Sequence, residues 1–351
     1  MLGNEAEVEF LSEKLEQAEE IGVEKAPILW AMMPCPLKVP VEEDFIRRSE
    51  AGEWAAFDTS RIIFEGNATQ TGFYERVKEY EHEDELPDLV ISPGISSFFH
   101  AEFRRKFVER GVFADAAGGW GGAGRFGGLE LSDPTGRYTV LCVNPLVMVV
   151  DHTRLGGLAV PRSWKDLLKP EYQGQVAMRG QKGTSFCETT LLTIRHAYGL
   201  EAVEQLGRAV KQGLHPAQMA KTAGTSNPEA TPVLIMPYFY AKSIPRKDKV
   251  EIVWPEEGAI ASPVFLLTKA EARERLKPLT DYLTGEHVSN LYESASFPAL
   301  NPGVKSKLPE GARLLWMGWE LVWSEDIKQV TEATHERFMT GYLQGIQGRS
   351  S

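Results

Sequence analysis

Tyr138 to Val150 (YTVLCVNPLVMVV) is a run of thirteen residues without a single charge, and it limits the possible folds more than any other part of the chain. A strand in an ordinary sheet has about 5–6 residues, so a run this long outlasts one small sheet. A matching run returns at Val250 to Leu267 (VEIVWPEEGAIASPVFLL). Two such runs bracketing an intervening segment read as two crossings between two compact units. The length of 351 residues agrees, since single hydrophobic cores usually stop growing at about 250–300 residues.

Between the crossings lies Ser163 to Met178, SWKDLLKPEYQGQVAM. Trp164 and the following leucines sit at helical spacing, Pro170 ends the helix, and Gly174 turns the chain into an apolar strand. Further on, Thr184–Ser185 opens a helix from Phe186 to Tyr198. A helix from Glu201 to Gln212 follows, then the apolar strand Pro232 to Pro237 (PVLIMP). Upstream of the first crossing, strands at Pro27–Met33, Ser60–Phe64 and Asp88–Ser92 alternate with helices at Val41–Ala51, Gly72–Tyr80 and Phe98–Gly111. That alternation predicts a parallel sheet with crossover helices. Residues 4–22 read as one surface helix with Val8, Leu11, Leu15 and Ile21 on a thin apolar stripe.

In this order, the long strand, the SWKDLLKPEYQGQVAM unit and the return resemble the two-lobed solute-binding proteins of ABC transporters, in the large group that includes ferric-iron-binding proteins. The resemblance runs from residue 26 to about residue 345. It implies an α/β, two-lobed periplasmic-binding-protein-like fold of type 2, with two parallel-type sheets and two interlobe crossings. Residues 1–25 would be a helical extension, 26–150 with 259–351 a discontinuous first lobe, and 151–258 the second. The implied function is capture of a small ligand between the lobes, with closure about the crossings, and delivery to an ABC permease. A ferric ion or metal complex, or a small carboxylate or oxyanion, is the implied ligand; Fe(III) would be cargo, not a resident cofactor. The alternative is a cytoplasmic enzyme or ligand sensor on the same fold, using Cys35, because a fold does not fix a function.

Composition excludes several classes. A net charge of −11 argues against a nucleic-acid groove and against adsorption to anionic lipid. No apolar run reaches the roughly 18 residues needed to span a bilayer, so membrane insertion is not expected, and a monomer is. The acidic, amphipathic N-terminus lacks a signal-peptide pattern. The chain is therefore either a mature, periplasmic or extracytoplasmic segment restarted at Met1, or a cytoplasmic protein. Three cysteines with no CxxC spacing cannot make a disulfide framework, and reduced thiols are expected.

The familiar catalytic patterns fail. Gly122 to Gly127 spells GxGxxG, but a helix precedes it and a strand follows, the reverse of a dinucleotide site, so a surface loop is expected. No P-loop run is present. The seven histidines make no HExxH or HxH, and Phe98 stands where a GxSxG elbow needs its last glycine.

Four loops and one crossing remain as candidate ligand contacts. Pro34 and Pro36 fix the backbone around Cys35, with Lys38 nearby; the thiol is a nucleophile, a soft metal ligand, or an inert buried cysteine. Ser92, Ser96 and Ser97 precede a helix, and Thr184 with Ser185 opens another, so two cups of backbone N–H and hydroxyl donors would face each other across the cleft. They act as anion sites or as plain caps. Tyr238 and Tyr240 match, through the resemblance, the segment in which ferric-binding members ligate iron as phenolates. In an extended segment both would face one side, as metal ligands or as a cleft lining. Glu257, with Glu256 beside it, would complete a metal shell or remain a solvated hinge carboxylate.

Overall fold

The computed structural model describes residues 26–66, 70–120, 126–181 and 185–350. The expected helix at 4–22 and most of the GxGxxG run lie outside the described residues.

The sheet starts from β1 (Leu29–Met33), whose five residues are all buried. It pairs in parallel with β2 (Ile62–Gly66) on one edge and β3 (Leu89–Pro93) on the other. Helix α1 (Cys35–Glu50) begins directly after β1, with Pro34 as its N-cap and Pro36 in its first turn. There a missing N–H costs nothing, because the first four helical N–H groups have no intrahelical acceptor. The elbow expected at Pro34–Pro36, with a helix only from Val41, is thus the helix start itself.

β4 (Thr139–Asp151) is buried along its entire length and serves two sets of partners. Its first half runs antiparallel to β10 (Ala259–Thr268), from Leu146 opposite Ile260 to Thr139 opposite Leu266. The second half pairs with β8 (Val233–Pro237) and, at the far edge, with β9 (Val250–Val253). β10 in turn joins β3. β8 continues in parallel to β5 (Val176–Gln181), which pairs with β7 (Val210–Leu214) and with the two-residue β6 (Ser185–Phe186). With β11 (Leu314–Leu315) on β10, the eleven strands among the described residues form one hydrogen-bonded sheet, in the order β2-β1-β3-β10-β4-β8-β5-β6 with β11, β9 and β7 branching from β10, β4 and β5. Each flank is of parallel type, as expected. The ladder between them is unbroken because β4 gives one half to each.

Three sequence-based boundaries differ. The Trp164–Leu168 segment is a 3₁₀ turn rather than an α-helix, capped by Ser163. The stretch after Phe98 breaks into a 3₁₀ turn, Ser97–Phe99, then Ala101–Phe103 and a π turn, Arg104–Val108. The helix expected to reach Gln212 stops at Ala209, and the chain enters β7.

The C-terminal helix packs against the β5 flank. Helices α2 (Glu188–Tyr198) and α3 (Leu200–Ala209) cover the β5 flank. The 24-residue helix α5 (Ile327–Ser350), within the 259–351 segment expected to complete the first unit, packs along α3; the number α4 is kept for Tyr238–Lys242. Phe338 and Tyr342 join the apolar cluster of Trp164, Phe186 and Leu206. A Cβ on Gly341 would lie 1.9 Å from the Glu204 carbonyl oxygen, and one on Gly207 2.3 Å from that of Phe338. Only hydrogen fits there, and the two glycines let the backbones touch. Arg337 pairs with Glu204 at 2.6 Å and Arg208 donates to Gln344 at 2.9 Å.

Candidate ligand-binding site

A cavity of about 610 Å3 opens at the carboxyl ends of β3 and β5, where ligands of open α/β sheets sit.

The first wall is the turn after β3. Gly94 takes φ +70°, a conformation that favours glycine, and its backbone approaches Ser262 and Thr189 from the facing elements. Ser92 is fully buried behind this wall. Its hydroxyl lies 3.2 Å from the Tyr74 hydroxyl and 3.1 Å from that of Ser96, while Ser97 donates to the Tyr74 carbonyl at 3.0 Å. Ser96, Ser97 and Tyr74 line the cavity; Ser92 does not, and serves to position the other hydroxyls. Burial pushes the Tyr74 phenol up to about 12, which keeps it a neutral donor.

β5, β6 and the start of α2 make the second wall. β6 folds back on Gly180 and Gln181, and the Cys187 N–H donates to the Arg179 carbonyl at 3.0 Å. α2 therefore starts at Glu188 with Cys187 as N-cap, two residues later than expected. Ser185 lies on the cavity wall in β6, whereas Thr184 falls outside the described residues. The first expected cup is only the 3₁₀ turn at Ser97–Phe99, so two full helix N-termini do not face each other.

The groups that dominate the cavity were not among the sequence-based candidates. Arg179 is half-buried on the lining, and its guanidinium makes no hydrogen bond or ion pair with another described residue. Glu188 opens onto the same space; desolvation raises its carboxyl pKa, opposed by the charge of Arg179. Asn144 from β4 and Ser262 from β10 form the floor, and Ser262 lies 3.5 Å from the Thr189 hydroxyl. Lys328 and Glu332, at the start of α5, close one side. His100, beside them, has its pKa lowered by burial and then by Lys328 and Lys78. A signal for Arg179 existed: it is the first charged residue after the apolar residues of β5, where a strand hands over to a ligand loop.

Other candidates lie elsewhere. Cys35 is exposed at the first position of α1, not buried beside a turn, and only its neighbour Pro34 reaches the cavity. Lys38 pairs with Glu42 at 2.9 Å. Tyr238 and Tyr240 belong to α4, which follows Pro237. Two residues apart on a helix, they diverge by about 200°. Tyr238 packs edge-on to Trp254, with Lys242 over its ring, and Tyr240 meets Phe239 and His215. The same-side expectation fails because the segment is helical, and neither ring lines the cavity. Glu257 accepts from the Trp164 N–H at 3.2 Å and the Tyr198 hydroxyl at 2.7 Å, and it is not on the cavity lining. Among the described residues no three His, Cys, Asp or Glu side chains gather as a metal cage, and no helix is long and apolar enough to cross a membrane.

The fold matches solved structures at low identity. A ferric iron-binding protein A from Mannheimia haemolytica in an open conformation superposes with a TM-score of 0.59 at 15% identity, covering 90% of this chain and 99% of that one. The periplasmic binding protein AfuA from Actinobacillus pleuropneumoniae, with fructose-6-phosphate bound, gives 0.59 at 14%, covering 92% and 99%. A further periplasmic binding protein reaches 0.62 at 15%, covering 90% and 100%. No curated protein matches in sequence. Two lobes, two crossing strands and a cavity at strand ends thus define a type 2 periplasmic-binding-protein fold. The model of the bacterial extracellular solute-binding proteins matches residues 84–324, more than half of the chain, and the protein belongs to that family.

Proposed function

We propose that this protein captures a small carboxylate or oxyanion in the cavity and delivers it, outside the cytoplasm, to an ABC permease. The proposed lobes are 26–150 with 259–326, and 151–258 carrying α5. The observation that carries the ligand reading is Arg179, a guanidinium with no protein partner among the described residues, set among the hydroxyls of Tyr74, Ser96, Ser185 and Thr189. A planar fork of N–H donors is suited to bidentate recognition of carboxylate or phosphate. A bare ferric ion is less well supported: the space is hundreds of Å3, and the two tyrosines diverge outside it. Nor does Cys35, off the lining, support an enzyme reading.

The test is calorimetric titration of the purified chain with carboxylates and phosphate esters, comparing wild type with Arg179→Ala. A charge-assisted hydrogen bond is worth about 1.5–3 kcal/mol, so affinity should fall at least tenfold. Unchanged affinity would remove the anion reading.

A further inference from the structure

Arg179 accounts for an anion, but the same cavity holds two groups that an anion alone does not explain. Glu188 opens onto it one residue past Cys187, whose N–H is bonded to the Arg179 carbonyl. The carboxylate and the guanidinium therefore reach the cavity from neighbouring points of one wall. They interact through charge, yet no hydrogen bond or ion pair joins them. A bare inorganic anion would be attracted by one and repelled by the other. Asn144 is the second group. It lies on the cavity floor, 7% exposed, and its Oδ1 has no hydrogen-bond partner. Buried acceptors are almost always filled; this oxygen is covered by protein here, but its amide sits on the cavity floor, where a turn of the side chain would present it to a ligand donor.

Resting on the anion reading above, we infer that the ligand is bipolar: a carboxylate or phosphate ester held by Arg179, bearing hydroxyl or ammonium hydrogens donated to Glu188 and Asn144. The volume suits an organic molecule of ordinary ligand size and is far larger than a bare anion needs. Ser262 and Thr189, side by side on the floor, add hydroxyls that serve either end.

Matched probes that differ only in donors test this. The full chain, stripped of bound small molecules by unfolding and refolding, is titrated with malate against succinate and with glycerol 3-phosphate against propyl phosphate. In at least one pair the donor-bearing member should bind tenfold tighter or more. Glu188→Ala should cut that preference below threefold, with folding checked by thermal melting; Asn144→Leu gives a second, independent reading of the same preference. Equal binding within both pairs, no binding by any probe, or a preference that survives both variants would overturn the inference. If Arg179→Ala still weakens every binder while pair members bind equally, only the bipolar character fails. If Arg179→Ala changes nothing, the anion reading fails with it.

Discussion

The Tyr198 hydroxyl donates to the Glu257 carboxylate at 2.7 Å, and the second oxygen of that carboxylate accepts the backbone N–H of Trp164 at 3.2 Å. One side chain on the return crossing thus holds the end of α2 and the start of the 3₁₀ turn together. The Trp164 indole N–H closes the same corner by donating to the Gly258 carbonyl at 2.9 Å.

Glu257→Ala should therefore act on stability and not on binding. It removes a cap and the acceptor for a phenol, together worth about 1–2 kcal/mol, read as a lowered urea midpoint. Ligand affinity should stay within twofold, and a loss of binding at unchanged stability would contradict this assignment.

The contact between α3 and α5 predicts an outcome specific to glycine. Gly341→Ala forces a methyl into the Glu204 carbonyl, and relief means parting two helices; a cost of about 2–3 kcal/mol is expected. At Gly348, where an added Cβ meets nothing within 4 Å, the same change should be neutral or slightly stabilising. Denaturant curves of the two variants make the comparison.

Acid stability should bear the mark of Asp44. Burial alone would raise this carboxyl, but hydrogen bonds from Arg47, His287, Arg48 and Tyr282 outweigh it and hold the pKa at about 2, below the ordinary 3.8. A depressed folded value means that the ionised form stabilises the fold. The contribution is complete above pH 4 and is lost as pH falls towards 2. Asp44→Asn should lower stability at neutral pH by about 2 kcal/mol or more and flatten the pH dependence in that window.

Tyr240→Phe and Tyr238→Phe should each change affinity by less than about 1.5 kcal/mol, the worth of one neutral hydrogen bond. Protein exposed to ferric salts should show no visible phenolate-to-iron band. A coloured protein bleached by either change would restore the ferric reading.

How much of this was legible follows from where the signals are local. β4 announced itself because a strand buried on both faces must be apolar for most of its length, and its two roles followed from that length. Tyr238 and Tyr240 were misplaced because YFYAK has no strong periodicity; the helix is started by Pro237, whose φ of −58° already suits a first turn. Cys35 misled for a related reason, its prolines marking a helix start instead of an elbow. Asn144 and Arg179 carry no motif at all. Their importance comes from which side chains remain unpaired once the chain is folded, a property of the tertiary structure. α5 could not be assigned to either half from its sequence, since its partner α3 is distant along the chain and the match depends on Gly207 and Gly341.

α5 also changes the mechanics of the molecule. At its beginning, Ile327 and Val330 are buried in the apolar cluster that holds Phe98, Trp319 and Phe265; at its far end it is clamped to α3 across a rod of about 36 Å. The crossings alone would let the two halves swing freely. On the proposed lobe division, a rod fixed to one half and seated in the other would act as a mechanical stop, since parting the halves would either bend it or draw Ile327 and Val330 from their seat. Exposing two such side chains would cost about 3–6 kcal/mol, so the ligand-free molecule is expected to hold a defined resting posture instead of a continuum of openings.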